Sequence, residues 1–422
     1  MRKMTALLTV LALLASLLVG AVGAIAESDI TLTVGASQNW IKDIDRELAQ
    51  KFTDQTGIKI DFQVNPDDQY ENIIKTKLAT NEAPDIMYVG AGVTMQNFQP
   101  EKYFMDLGGM AWVPKMRDWA INGAMANGVL YGFNTWSVDG SAILYNTHIF
   151  EEYGLEVPNS FEELKAVCQV LLDNGVQPIY DNAKDNWHIG WWPNQLSSLM
   201  EAENPGYAEL LNTNQLKLSD SPAMLQCMID FKELYDLGYL GKNALANEWV
   251  PGYEYMGTGK AAMILTYTTY QVEVAEQYPE SRALEWAMFP MQLAGCNTAD
   301  FSAGGIVRAV NKATPYAEAV EQYFNFLVEE ENVRAFYEAR PDLGQPSVDG
   351  IEVRPLSNGY KTFEAYTVNG SNIVVNQAVK FWNEAVIGKA MQDMLAGFIT
   401  PEECLQIIDD DRIQSLESSM GN

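Results

Sequence analysis

The spacing of hydrophobic and polar residues predicts alternating strands and helices over residues 31–90. Apolar and polar residues alternate over Thr31–Ala36, which is typical of a strand with one buried face. Helical spacing follows and ends at Gly57, with apolar residues three or four positions apart at Ile41, Ile44, Leu48 and Phe52. Alternation then returns over Ile58–Val64, which predicts a second strand.

A second helix is expected over residues 68–81, followed by the apolar strand Asp85–Val89 and the small residues Gly90–Gly92. Strands that alternate with helices form a parallel sheet with right-handed crossovers. In such sheets ligands bind beyond the carboxyl ends of the strands. The loops at those ends are Ser37–Trp40, Asn65–Gln69 and Gly90–Met95.

The rest of the chain continues this mixed pattern without an internal repeat or a long linker. Leu130–Asn146 predicts two strands that meet near residues 136–139. Ser160–Glu163 and Thr400–Glu403 are capping boxes, and each predicts the start of a helix. The segments between them are a loop dense in tryptophan (Asp185–Gln195), a helix (Ala223–Leu237) and a strand (Ala261–Thr266).

Residues 1–26 have the pattern of a secretory signal peptide. Arg2 and Lys3 precede the apolar run Ala6–Val22, and the small residues at 24–26 predict cleavage before Glu27. An uncleaved membrane anchor is the alternative, because the apolar run is close to the length of a membrane span. The remaining 396 residues are too many for one core and suggest two domains. Outside the cytoplasm we expect ligand binding and no cofactor.

Composition is that of a folded acidic protein. The chain is 47% hydrophobic and 20% charged, and its formal net charge is −29, or −31 without Arg2 and Lys3. The negative potential of such a net charge repels phosphate backbones and anionic lipids, so neither nucleic acid nor a membrane surface is an expected partner. The four cysteines are far apart, which allows disulfides but favours buried thiols: Cys168, Cys227, Cys296 and Cys404.

Motifs for common catalytic chemistries are incomplete. The chain has only two histidines, too few for a histidine-based metal site. Phe301–Gly305 is similar to a nucleophile elbow, but Asp300 replaces its first glycine. Met256–Lys260 is similar to a phosphate loop, but it lacks both the leading glycine and the hydroxyl residue after the lysine. A glycosidase with paired carboxylates stays open, because its two acids need no fixed spacing.

Tryptophans beside polar residues are the positive signal. Aromatic rings cover the C–H faces of sugars, and amides or carboxylates bond their hydroxyls. One such tryptophan is more often structural, but several near loops favour ligand stacking. Seven of the ten have an amide or carboxylate within three residues: Trp40, Trp136, Trp187, Trp191, Trp192, Trp249 and Trp382. Two further residues have a functional and a structural interpretation. Asp139 could accept a hydrogen bond from a sugar hydroxyl or cap a hinge segment, and His188 could donate to a sugar oxygen or pack within its loop.

Six segments in order and spacing resemble the extracellular solute-binding proteins of family 1, which are sugar-binding components of ABC importers and include maltose-binding protein. The resemblance covers essentially the whole chain after residue 26. The segments are Leu48–Val64, Ala83–Gly92, Ser141–Asn146, Val157–Leu164, Gly259–Leu265 and Ser302–Asn311.

This resemblance implies an α/β fold of two lobes of the periplasmic-binding-protein type (type II-like), joined by a three-segment hinge. The hinge segments are expected near Trp136–Asp139, near Phe301–Gly305 and within Glu329–Phe336. The N-terminal lobe would comprise residues 27–137 and 302–332, and the C-terminal lobe residues 138–301 and 333–422. Ligand would bind between the lobes, which close by hinge motion and present the closed form to a permease.

Site residues follow from the resemblance by matching position. The first βα loop, the loop after the third strand, the hinge, the second lobe and a late helix would contribute. The implied ligand-binding residues are Gln38, Asn39, Trp40, Ala91, Gly92, Trp136, Asp139, Trp187, His188, Tyr267, Thr268, Gly304 and Trp382.

The resulting hypothesis is an extracytoplasmic, non-enzymatic carbohydrate receptor, with an oligosaccharide favoured as ligand. Its partners would be the carbohydrate and the permease subunits of an ABC transporter, and the receptor itself would be a monomer. Since no cysteine follows the signal peptide for lipid attachment, a soluble periplasmic or secreted protein is favoured over a tethered one. A secreted glycoside hydrolase using two carboxylates is the alternative, and a chemosensory receptor subunit is a third possibility.

Overall fold

The structure, a computed structural model, describes residues 30–137, 140–302, 304–354, 357–367 and 373–420. The expected signal peptide therefore lies outside the described residues, as does Asp139. Within the described residues, a five-stranded and a four-stranded open sheet with flanking helices make up the fold, together with a short two-stranded sheet. The strands are β1 (Thr31–Ser37), β2 (Lys59–Asn65), β3 (Ile86–Gly90), β4 (Met125–Ala126), β5 (Val129–Leu130), β6 (Gly132–Asn134), β7 (Ser141–Tyr145), β8 (Gln177–Tyr180), β9 (Ala261–Tyr267), β10 (Ala287–Phe289) and β11 (Ile306–Val310).

The α-helices flank both sheets, and short 3-10 turns lie between them. They are α1 (Asp43–Thr56), α2 (Asp67–Ala79), α3 (Pro100–Tyr103), α4 (Asp118–Gly123), α5 (Thr147–Tyr153), α6 (Phe161–Asp173), α7 (Asn186–Ile189), α8 (Trp191–Asn194), α9 (Ser197–Glu203), α10 (Tyr207–Asn212), α11 (Pro222–Asp236), α12 (Pro251–Gly257), α13 (Tyr270–Gln277), α14 (Ala317–Leu327), α15 (Glu330–Glu338), α16 (Asn358–Ala365), α17 (Val375–Ala378), α18 (Glu384–Leu395) and α19 (Pro401–Met420). Within the described ranges, none of these helices has both the length and the apolar character of a membrane span.

The first sheet confirms the predicted parallel order of the first three strands. Its order is β2-β1-β3-β11-β6, and β1 pairs in parallel with both β2 and β3. Strand β11 joins from a distant part of the chain and runs antiparallel to β3. Helix α1 buries its predicted apolar face, including Leu48 and Phe52, against this sheet and ends at Gly57 in the left-handed conformation.

The second sheet has the order β10-β7-β9-β8, in which β8 and β9 are parallel. Both predicted capping boxes start helices around it. The Ser160 side chain accepts a hydrogen bond from the Glu163 backbone at 3.3 Å, and Thr400 caps α19 in the same way at 3.2 Å. All four cysteines lie buried around this sheet as free thiols, which confirms the interpretation from the sequence.

Three connections join the two sheets, and two lie where the sequence predicts them. Gly140 forms an isolated antiparallel bridge with Phe301, so the connections β6–β7 and β10–β11 run side by side. The backbone N–H of Gly305 donates to Trp136 at 3.0 Å, and that of Gly344 donates to Ser137 at 2.9 Å. The first two connections are therefore bonded to each other, and the segment that precedes the third crossing is bonded to Ser137.

The third connection lies later in the chain than the expected range Glu329–Phe336. That range falls within and just before α15, whose Val333 and Phe336 are buried in the first core. The first core continues as far as Ile351, and the next fully buried apolar side chain on the other side is Phe363. The whole of α15 packs on the first core, and the chain stays on that core as far as Ile351, so the crossing follows residue 351. The expected boundary between residues 332 and 333 would divide α15.

A buried ion network under the first sheet ties these connections to the core. Asp45, at the start of α1, accepts a hydrogen bond from Arg308 of β11 at 3.2 Å and from the Lys42 backbone at 3.0 Å. Arg308 also donates to the hydroxyls of Tyr88 and Thr135, each at 2.7 Å. Arg340, which follows α15, places Nη1 4.0 Å from the same carboxylate.

We expect Asp45→Ala to lower the free energy of unfolding by about 3–5 kcal/mol, because it leaves the buried guanidinium of Arg308 without its carboxylate. Urea denaturation measures the change. Asp43→Ala removes an exposed acid from the same helical turn and is the matched control, with an expected loss below about 1 kcal/mol. Equal losses in the two variants would contradict a structural role for the network.

Candidate functional site

The carboxyl edge of the second sheet carries a cluster of aromatic side chains. The tryptophan-rich segment 185–195, expected as a loop, forms the short helices α7 and α8 after β8. Asp185 accepts a hydrogen bond from the Trp249 backbone at 2.7 Å and thereby ties the segment before α12 to α7. We define the aromatic cluster by six rings: Trp187, Trp191, Trp249, Tyr253, Tyr267 and Tyr270.

Four of these rings are partly exposed, and their neighbours hold them edge to face. The ring centroid of Trp187 lies 5.1 Å from that of Trp191 and 5.2 Å from that of Trp249. Trp249 and Tyr267 are 5.8 Å apart and tilted by 31°. Tyr253 and Tyr270 are buried and stacked on each other beneath Trp249. Partly exposed rings of this size can cover the apolar face of a ligand.

His188 supports the cluster from below. Its ring lies 5.2–5.3 Å from the rings of Trp187, Trp191 and Trp249 and is fully buried. Nε2 donates to the carbonyl of Leu265 at 2.9 Å, and burial lowers the pKa of His188 to about 4. The imidazole is therefore neutral near pH 7 and, in this conformation, offers no surface to a sugar.

Glu273 of α13 is the carboxylate of the cluster. The hydroxyls of Tyr253, at 2.9 Å, and Tyr267 both donate to it, and Trp249 Nε1 donates to the Tyr253 hydroxyl at 3.1 Å. Burial raises the pKa of Glu273 to about 7, against the lowering effects of Tyr267 and of the positive charge of Lys42. Lys42 belongs to the loop after β1, so this carboxylate lies where the two lobes approach each other.

On the first sheet the loop after β1 carries three of the expected residues. Gln38 and Asn39 are exposed, and the Gln38 backbone donates to Asn65 at the end of β2 at 2.9 Å. Trp40 is partly exposed and packs edge to face on Tyr70 at 5.3 Å. Amides and an indole thus line the edge of the sheet at which the sequence predicts the ligand crevice.

The segment after β3 contacts the second lobe rather than opening toward it. Ala91 is buried, and its backbone N–H donates to Gly305 at 3.1 Å. A Cβ atom on Gly92 would lie 3.1 Å from the backbone oxygen of Gln377 in α17. The side chain of Gln377 in turn donates to the carbonyl of Gly304 at 2.8 Å.

Trp136 lies among the connections between the lobes. The guanidinium carbon of Arg340 is 4.3 Å from its ring centroid, which is a cation–π contact. A Cβ atom on Gly305 would come within 2.5 Å of the same ring, so only glycine allows this approach. Gly304 has φ +91°, which also favours glycine. Asp139 lies outside the described residues.

Two expected site residues are core or backbone contacts in this structure. Thr268 is 1% exposed, and its carbonyl accepts from the Ser357 hydroxyl at 3.1 Å. Trp382 is 7% exposed and packs in the second core, whereas the stacking platform expected from the sequence would have to present its ring to the ligand. The pattern of polar neighbours cannot separate such a core tryptophan from an accessible one.

The structure thus brings Trp187 and Tyr267 together, holds Trp40 on the other lobe, and places Trp136 and Gly304 between them. The aromatic cluster also contains Trp191 and Trp249, which are among the seven tryptophans with polar neighbours but not among the implied ligand-binding residues. It further includes Tyr253 and its partner Glu273, which no local sequence signal marked. Among the described side chains, no three of His, Cys, Asp or Glu are grouped to hold a metal ion.

Two α/β lobes joined by three connections, with aromatic side chains at the carboxyl edges of both sheets, define the class of two-lobed ligand-binding receptors. The sequence profile described as "Bacterial extracellular solute-binding protein" matches residues 39–334. The chain belongs to this family.

Several known proteins with similar sequence or structure are named for sugars. The chain is 21% identical over 315 residues to the multiple sugar-binding protein of Streptococcus mutans, covering 74% of this chain and 71% of that protein. A chitin oligosaccharide binding protein has a TM-score of 0.77 at 18% identity, covering 92% of this chain and 99% of that one. A Bacillus licheniformis sugar transporter in complex with stachyose has a TM-score of 0.73 at 19% identity, covering 90% and 99%. These structural similarities confirm the two-lobed fold.

Trp382→Ala should lower the free energy of unfolding by about 3–5 kcal/mol, because it leaves a large cavity in the second core. Trp382→Phe keeps an aromatic ring and removes an indole N–H that has no hydrogen-bond partner among the described residues. We expect this variant to lose less than about 1.5 kcal/mol. Denaturant unfolding compares the two, and unchanged stability of Trp382→Ala would assign the ring to the ligand instead.

Buried carboxyl groups should raise stability on acidification from pH 8 to pH 5, whereas buried neutral His188, whose pKa is lowered to about 4, acts in the opposite direction below about pH 6.5. Asp181 is fully buried and accepts one hydrogen bond from Trp192, and burial raises its pKa to about 7. Burial likewise raises the pKa of Asp300 to about 6. A carboxyl whose folded pKa is raised is most stabilising when protonated, and that stability is lost as pH rises through the folded pKa, by up to about 1.4 kcal/mol per pH unit for each proton.

Melting temperatures across this range test the effect in the intact chain and in Asp181→Asn. The variant should have a shallower dependence on pH, because the amide does not titrate. Identical slopes in the two proteins would exclude Asp181 as a contributor.

Proposed function

We propose that the chain is an extracytoplasmic receptor that binds a neutral carbohydrate between its lobes and delivers it to the permease of an ABC transporter. The single observation that carries this proposal is the set of partly exposed, rigidly supported rings at the carboxyl edge of the second sheet. Sugars offer apolar C–H faces to such rings and hydroxyls to the amides and carboxylates near them.

An oligosaccharide is the proposed ligand class, because Trp40 on one lobe and Trp187, Trp191 and Trp249 on the other provide more ring area than one sugar unit can cover. The multiple sugar-binding, chitin oligosaccharide-binding and stachyose-bound relatives support this size class. Ligand that contacts both lobes favours their closed arrangement and shifts the population toward it.

Location and partners follow from the family. We propose that the protein is exported after cleavage before Glu27, acts as a monomer in the periplasm or outside the cell, and contacts permease subunits in its closed form. Mass determination of the exported protein tests the cleavage site, and sedimentation analysis tests the monomer.

Trp187→Ala should weaken oligosaccharide binding about 5- to 150-fold, which corresponds to about 1–3 kcal/mol for the loss of one aromatic platform. Calorimetric titration with glycans such as stachyose and chitin oligosaccharides measures the affinity. Trp119→Ala is the matched control, since Trp119 is also a partly buried tryptophan but packs against the first core. The proposal is wrong if the control loses as much affinity as the site variant.

Incubation of the chain with the same glycans separates a receptor from a glycoside hydrolase. Intact glycan together with a change in tryptophan fluorescence supports the receptor. Shorter products formed with turnover would support the enzyme.

A further inference from the structure

Glu273 is the centre of a hydrogen-bond chain that reaches two rings of the aromatic cluster. One carboxylate oxygen accepts from the Tyr267 hydroxyl and the other from the Tyr253 hydroxyl at 2.9 Å. The Tyr253 hydroxyl in turn accepts a hydrogen bond from Trp249 Nε1 at 3.1 Å. A single carboxylate therefore fixes both Tyr267 and, through Tyr253, Trp249.

These hydrogen bonds are strongest with the ionised form of Glu273. A carboxylate accepts at both oxygens, and charge-assisted hydrogen bonds are about twice as strong as neutral ones. When the carboxyl group is protonated, the charge assistance is lost at both oxygens, and the protonated oxygen donates to its tyrosine instead of accepting from it. Both hydroxyls are then held by weaker, neutral hydrogen bonds, and the rings are less firmly anchored.

Charges on several elements act on Glu273. Asp342, in the connection after α15, disfavours its ionised form, and Lys42, in the loop after β1, favours it. Tyr253, Tyr267 and Tyr270 are the other titratable side chains around it, and burial holds the pKa of each hydroxyl above its usual range. These tyrosines stay protonated near neutral pH, so Glu273 is the group of this set that changes charge there.

We propose that Glu273 is a positioning residue for ligand binding, which as a carboxylate holds the rings of Trp249 and Tyr267 in place and on protonation holds them less firmly. This inference rests on the proposed function, since it assumes that these rings stack on the ligand. It assigns to the binding site a dependence on pH that no aromatic residue alone would give.

The direction of the effect follows from linkage. Burial raises the pKa of Glu273 to about 7, so protonation occurs between pH 8 and pH 5.5. If the ionised form binds ligand better, affinity falls on acidification, by about fivefold or more for a typical coupling between two sites.

Calorimetric titration with stachyose and chitin oligosaccharides between pH 8 and pH 5.5 tests the proposal on the full chain. Wild type should lose affinity toward low pH, whereas Glu273→Gln should bind weakly at every pH with a flat profile. Glu276→Gln changes an exposed residue three positions further along α13 and should keep the wild-type profile. Equal pH profiles of wild type and Glu273→Gln would overturn the proposal.

A second measurement needs no ligand. In ¹⁵N-labelled protein the indole N–H resonance of Trp249, assigned with Trp249→Phe, should shift with a midpoint near pH 7 and lose that shift in Glu273→Gln. Glu273→Asp keeps the carboxylate, so a pH-dependent resonance should return in it if the variant folds. An invariant resonance in wild type would overturn the proposal.

The two measurements separate this inference from the proposed function. A titrating Trp249 resonance in a protein that binds none of the glycans at any pH would reject the carbohydrate and keep the link between Glu273 and the rings. Strong glycan binding with an invariant Trp249 resonance would support the carbohydrate receptor and reject the link between Glu273 and the rings.

Discussion

The first lobe is built around Asp45, a buried carboxylate that two arginines approach. Arg308 bonds it from β11 at 3.2 Å, and Arg340, from the chain that follows α15, comes within 4.0 Å of it while pairing more closely with Asp342. Taking such charges out of water is costly unless their hydrogen bonds are satisfied, so the segments that carry them must assemble in one arrangement. Arg308 also binds Thr135, beside the first connection. Packing of the first core and the position of Thr135 therefore depend on the same group of charges.

The aromatic cluster poses the opposite problem, because large rings must remain partly exposed yet stay fixed. Rings that rotate freely lose entropy when they bind a ligand, and that loss weakens the affinity. Here polar groups on the inner side provide the rigidity: neutral His188 hydrogen-bonds to β9, and Glu273 holds two tyrosine hydroxyls. The outer surface of the rings is thereby left for apolar contact, whereas their edges are anchored in the lobe.

Local patterns were sufficient to predict the elements but not the contacts between distant segments. The alternation and spacing of residues 31–90 give β1, α1, β2, α2 and β3 within one or two residues, because each element buries one face on a nearby neighbour. The third connection was expected too early in the chain, because the apolar spacing of α15 does not show which of the two cores the helix packs against. Glu273 could not be found because its partners Tyr253 and Tyr267 meet it only after β9 and α12 have folded.

Trp136 illustrates why an aromatic residue in a cleft need not stack on a ligand. Arg340 covers one face of its ring, and Gly305 passes close to its pyrrole edge. At most one face is therefore left for a sugar, and any movement of that ring would disturb the cation–π contact. The carbonyls of residues 136 and 137 accept hydrogen bonds from Gly305 and Gly344, so displacement of this ring would disturb those bonds as well. The rings of the aromatic cluster, such as Trp187, are instead partly exposed and held by other aromatic rings, and they are therefore better suited to stack on a ligand.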